Sequence, residues 1–131
     1  MCDSSRAGLH ELLTSRKLAE RVAHLALEKK AHDILVLDLR RLTSAVDRFV
    51  ICSADSETQV KAVADHVEET LRKEGTKAWH VEGQEGRRWI LLDYVDVVLH
   101  VFYNETRQFY ALEDLWGDAP VFRADDTSKI A

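Results

Sequence analysis

The sequence predicts a single α/β domain, an α+β arrangement in which a mixed sheet of about five strands is flanked by helices. Three observations carry that expectation. Stretches with apolar residues at helical spacing alternate with short runs rich in Ile, Leu and Val. The chain of 131 residues has no internal repeat and a single proline to interrupt its elements. That length suits one hydrophobic core without disulfide or metal staples.

The elements follow in order. From about Ser15 to His32, Leu18, Val22, Leu25 and Ala26 recur as one face of an amphipathic helix. "DILVLDLRRL" and "DRFVICSA" read as strands, and "TSAVD" between them is short enough to join them as a hairpin. "DSETQVKAVADHVEETLRKEGTK" opens with Ser56 and Gln59 at capping-box spacing. Its apolar stripe is Val60, Val63, Ala64, Val67 and Leu71, and Gly75 is a natural stop. "KAWHVEG" is a further strand, "GQEGRR" a turn, and "WILLDYVDVVLHVFY" two more strands. In "TRQFYALEDLWGDAP", Phe109, Leu112 and Trp116 stand near helical spacing, ended by Gly117 and Pro120. Past Pro120 apolar residues become scarce. The expected organisation is an N-terminal extension over 1–14, a domain over 15–120 and a flexible tail over 121–131.

Composition removes several functions. With 46% hydrophobic and 31% charged residues, the chain has the make-up of an ordinary globular domain. No apolar run approaches the roughly 18 residues of a membrane span. "MCDSSRAGLHELL" carries neither a basic-then-apolar signal pattern nor an Arg-rich, acid-poor one, so a cytoplasmic location is expected. A net charge of −5 argues against direct nucleic-acid readout, where neutralising phosphates supplies most of the affinity, and favours a basic protein as partner. Cys52 lies inside an apolar run and is expected as a buried, inert thiol. The six histidines form no H-x-x-x-H pair and no glycine-rich phosphate loop occurs, so neither metal nor cofactor is expected.

The unusual feature is the pair of carboxylates, Asp93 and Asp96, inside the best β-forming stretch. If Tyr94 and Val95 form a two-residue hairpin loop, Asp93 faces Asp96, Leu91 faces Val98 and Trp89 faces His100, all on one side of the sheet. The other side then carries Ile90, Leu92, Val97, Leu99 and Val101 and belongs against the helices. The mixed side is expected to lie bare. Three readings compete for the aspartates: turn residues, a carboxylate pair holding Mg²⁺ for phosphoryl chemistry, or the acidic part of an interface anchored by Trp89. The absence of a phosphate cradle weighs against the second. Residue physics leaves the first and third open.

"KKAHDILVLDLRRL", "DRFVICSADSETQVKAVADHV", "WILLDYVDVVLHVF" and "TRQFYALEDLWGDAP", in that order and spacing, resemble the ribosomal silencing factor family, also called Iojap-like. The resemblance spans about Leu18 to Pro120. It implies a fold similar to a nucleotidyltransferase domain without its catalytic carboxylates, and a function that is not catalysis. Members bind the large ribosomal subunit through that subunit's ribosomal protein fourteen, block joining of the small subunit and so repress translation. Some form homodimers. The alternatives are a large-subunit assembly factor docking at the same place, or a divergent nucleotidyl- or phosphoryl-transfer enzyme. Carried over by position, the implied partner-binding residues are Trp89, Leu91, Asp93, Asp96 and His100. A final motif matches Arg107, Tyr110, Leu112, Glu113 and Trp116. Two positions depart: Val95 and Ala54 each stand where many members have Gly, and Val is disfavoured at a loop position with φ > 0.

Overall fold

The computed structural model describes residues 14–110 and 116–123, the side chains of 108–110 excepted. Helix α1 (Ser15–Glu28) begins where the Thr14 hydroxyl accepts from the Lys17 N–H at 3.1 Å. It stops before the expected His32 because Lys30 turns left-handed, with φ 67°. The N–H groups of Lys30 and Ala31 then return to the carbonyls of Leu27 and Ala26. This closure usually rests on a glycine, so a lysine there leaves no signal in the sequence.

Strands β1 (His32–Asp38) and β2 (Arg48–Ala54) pair antiparallel, with Leu35 opposite Ile51 and Asp38 opposite Arg48, as the hairpin reading expects. Helix α2 (Glu57–Lys73) starts at Ser56, whose Oγ accepts from the Gln59 N–H at 3.0 Å. The return bond differs from a reciprocal box: Gln59 Oε1 takes the N–H of Asp55, at 2.8 Å. The Gln59 amide also donates to the carbonyls of Lys29 and Lys30, each at 3.2 Å, so the start of α2 satisfies the end of α1. Gly75, with φ 97°, ends α2 as expected, its N–H returning to Arg72 and that of Thr76 to Leu71.

The remaining elements are β3 (His80–Glu82), β4 (Trp89–Asp93), β5 (Val97–Tyr103), α3 (Asn104–Tyr110) and β6 (Val121–Arg123). Among the described residues they complete a six-stranded sheet in the order β3-β4-β5-β2-β1-β6, in which only β2 and β5 run parallel. The sixth strand lies past Pro120, in the stretch expected to be a tail. Its three residues are too few to display alternation; Leu37, Val36 and Leu35 of β1 hold it opposite Val121, Phe122 and Arg123. Of the last motif, Leu112 and Glu113 lie outside the described residues, as do residues 1–13 of the N-terminal extension.

Burial is organised as two clusters, one on each sheet face. The larger joins Val22, Leu25 and Ala26 of α1, Val60, Val63, Val67 and Leu71 of α2, and Ile90, Leu92, Val97, Leu99 and Val101 of β4 and β5. The aliphatic side of the β4–β5 pair therefore faces the helices, as alternation predicts. Cys52 belongs to this core, and burial pushes its thiol up to about 12. The smaller cluster, on the opposite face, gathers Leu35, Leu37, Leu39, Val46, Ile51, Val98, Phe102 and Ala119. Phe49, Trp89, Leu91 and Trp116 pack against its margin. No helix among the described residues is long and apolar enough to cross a membrane.

Candidate functional site

The hairpin that carries the site is displaced from the expected register. Trp89 lies opposite Phe102, Leu91 opposite His100 and Asp93 opposite Val98. A two-residue loop would have set Trp89 against His100 and Asp93 against Asp96. The slip is even, so every side chain keeps its face while its partner changes. Its causes lie in the packing around the turn. Tyr94 is drawn into the helix-side core, and its N–H bonds to the Val97 carbonyl at 2.8 Å. Val95 takes the left-handed φ of 74° that its position requires. The Asp96 carbonyl accepts the N–H groups of Asp47 and Arg48, at 2.9 and 3.0 Å, anchoring the turn to the start of β2.

On the mixed face, aromatic rings are fitted together. The Trp89 indole N–H donates to His100 Nδ1 at 3.0 Å, and the indole stacks on Phe102 with centroids 4.9 Å apart. Phe49 of β2 meets the imidazole edge-on at 4.5 Å and Trp116 at 6.1 Å. Offset and edge-on contacts of this kind add to the burial energy. His100 is only 4% exposed, and burial lowers its pKa to about 4, so the ring is neutral at pH 7. The face is thus not bare: Phe102 and His100 are sealed, while Trp89 and Leu91 remain half-buried. Phe49 and Phe102 complete the face without belonging to the motif that marks it. Their only signal was position on the same side of alternating strands as Trp89.

The two aspartates part company. Asp93 stays on the face beside Leu91, half-buried, and its Oδ1 accepts the Val95 N–H at 2.7 Å. That bond is the turn role the residue type favours. Asp96 is exposed and belongs to the turn rather than to a cross-strand pair, so the like-charge juxtaposition with Asp93 does not occur. It lines a cleft of about 740 Å³ with Asp47, Arg48 and the start of α1, including Arg16 and Lys17. Of the five residues singled out, the structure assembles Trp89, Leu91, Asp93 and His100 on one face and puts Asp96 at its margin.

The same end of the molecule holds an ion network. Arg48, nearly buried, donates to Ser15 Oγ and lies 3.9 Å from Asp38. Arg40 grips Asp38 through two nitrogens, at 2.9 and 2.7 Å, and holds its carboxyl at about 2. These cations are engaged with acids of the chain itself. Arg107 of the final motif is likewise structural, donating to Ser53 Oγ at 2.8 Å and to the Asp33 carbonyl.

The described residues form an α/β domain whose sheet presents a face of fitted aromatic rings with Asp93 beside them. Residues 13–131 match the family described as ribosomal silencing factor during starvation, and the chain belongs to that family. It is 41% identical over 98 residues to the ribosomal silencing factor of Bacillus subtilis, covering 75% of this chain and 83% of that one. With the ribosomal silencing factor of Halalkalibacterium halodurans the identity is 36% over 108 residues, 82% of this chain and 92% of the other. The crystal structure of a Chromobacterium violaceum protein, 35% identical, superposes with a TM-score of 0.77 over 79% of this chain and 87% of its own.

Proposed function

We propose that the protein binds the large ribosomal subunit through that subunit's ribosomal protein fourteen and, by occupying the position, prevents the small subunit from docking. The observation that carries this reading is the held indole of Trp89, bonded at 3.0 Å to a buried neutral imidazole, with Leu91 and Asp93 beside it on one face. A rigid aromatic anchor with a neighbouring acid is the composition of a hot spot for a basic protein. The net charge of −5 would favour encounter with such a partner.

The mechanism is occlusion. It requires occupancy and no bond making, so the protein acts as a translational repressor in the cytoplasm rather than as an enzyme. Trp89 and Leu91 supply apolar contact, Asp93 pairs with a cationic side chain, Asp96 adds charge at the margin, and His100 works from beneath by orienting the indole.

The test is sedimentation of the full chain with purified large subunits, followed by addition of small subunits. Co-sedimentation with a reduced yield of joined ribosomes is expected. A chain that sediments with large subunits yet leaves joining unchanged would overturn the occlusion mechanism. Failure to co-sediment would overturn the reading altogether.

A further inference from the structure

The chain has three tryptophans, and the most exposed of those is Trp79, at 77%, where Trp89 and Trp116 are half-buried. An indole carries a large apolar area, and one left mostly in water marks a surface that gains by association. Trp79 is not on a loose loop. Its N–H donates to the carbonyl of Asp93 at 2.8 Å, so it continues the β3–β4 ladder at the residue that supplies the candidate site's carboxylate. The far side of that ladder is open among the described residues, because β3 stands at the end of the strand order and pairs with β4 alone.

The edge is also fixed relative to Trp89. Gly83, one residue past β3, has φ 87°, and a Cβ there would lie 2.0 Å from the Trp89 carbonyl oxygen. Backbone contact this close makes the end of β3 and the start of β4 one unit. Charge follows the same path. His80 is paired directly with Asp93 and Glu82 with Leu91, so both project on the Trp89 face. Trp79, the residue before His80, stands at the edge rather than on that face, its ring 6.4 Å from the His80 imidazole. His80 Nε2 lies 2.6 Å from Glu82 Oε2, and both side chains are more than half exposed. Asp93 and Glu82 therefore form an acidic border that runs from the candidate face to the open edge.

We infer that Trp79 is a second anchor for the same cationic partner, which reaches it across the Asp93–Glu82 border along the free edge of β3. The inference rests on the reading of the Trp89 face as the docking surface. The occupant is a basic protein of the large subunit, because continuity with that face and the acids between the two indoles select it over a second copy of this acidic chain.

The experiment compares Trp79→Ala with Trp89→Ala in the full chain, titrated against purified large subunits by co-sedimentation at two salt concentrations. Thermal melting accompanies each variant, and an unchanged midpoint is expected for Trp79→Ala at so exposed a position. Trp79→Ala should weaken binding about tenfold or more, with Trp79→Phe recovering part of the loss. If Trp89→Ala loses binding while Trp79→Ala matches the parent, the second anchor is overturned and the first reading stands. If neither variant changes binding, the reading of the face fails and takes this inference with it. If Trp79→Ala alters only self-association in sedimentation velocity, the occupant is a second copy and the inference is overturned.

Discussion

The bond from the Trp89 indole to His100 Nδ1, at 3.0 Å, sets the state of both rings. Indole nitrogen can only donate, so Nδ1 must be the acceptor and the proton of the neutral imidazole resides on Nε2. That nitrogen is buried without a hydrogen-bond partner among the described residues. Phe102 stacks under the indole at 4.9 Å and completes the support. The Trp89 ring is therefore held in one orientation, which in the proposed docking lowers the entropy lost.

Truncating this unit should separate binding from folding. Trp89→Phe keeps an aromatic ring but leaves a buried acceptor unsatisfied, and should lower stability by about 1–3 kcal/mol. Trp89→Ala should lower it by about 2–4 kcal/mol and abolish co-sedimentation, with a folded circular dichroism spectrum retained well below the melting midpoint. Wild-type affinity in the alanine variant would remove Trp89 from the interface.

Asp93 has two candidate roles that one substitution can divide. Asp93→Asn keeps an oxygen able to accept the Val95 N–H, now 2.7 Å away, while removing the charge. Stability should change by less than about 0.5 kcal/mol, and binding to large subunits should weaken with a shallower salt dependence. Asp93→Lys should weaken it further. Unchanged titrations for both variants would assign the residue to the turn alone.

Val95 is a β-branched residue at φ 74°. A side chain in the left-handed region costs roughly 1–2 kcal/mol, and glycine gives back part of that relief through its greater unfolded-state entropy. Val95→Gly should stabilise the protein by about 0.5–1 kcal/mol in chemical denaturation. A destabilised variant would show that the exposed valine makes contacts outweighing its strain.

The buried imidazole makes stability acid-sensitive. Burial lowers the His100 pKa from 6.5 in the accessible state to about 4 in the fold. Between those values the unfolded chain holds a proton that the native state does not. Stability is therefore whole above pH ~6.5, declines as pH falls, and below the folded value has lost on the order of 3 kcal/mol. His100→Asn, which retains an acceptor near the Nδ1 position, should flatten this part of the pH–stability curve relative to the parent. An unchanged slope would place the acid sensitivity elsewhere.

Local patterns made much of the fold legible. The stripe of Val60, Val63, Val67 and Leu71 with Ser56 before it and Gly75 after it marks α2 because capping and periodicity act within a few residues. The faces of β4 and β5 were legible for the same reason, since alternation is a property of the strand itself. Three features were not. The stop at Lys30 uses a residue with no turn signature, β6 is too short for a pattern, and the pairing of β2 with β5 joins segments distant in the chain.

What the amino-acid order determined alone was the elements up to β5, the side of the sheet each of their residues takes, and the shared face of Trp89, Leu91, Asp93 and His100. Tertiary packing decided the partners on that face. Burial of Tyr94 and the bonds from Asp47 and Arg48 to the Asp96 carbonyl displaced the register and moved Asp96 off the strand pair. Phe49 arrived from a strand paired in parallel with β5, and Phe102 came to lie under the indole. The division follows from range: side-chain direction is fixed by backbone geometry over two or three residues, whereas register is settled by whichever long-range contacts bury most and leave fewest polar groups unpaired.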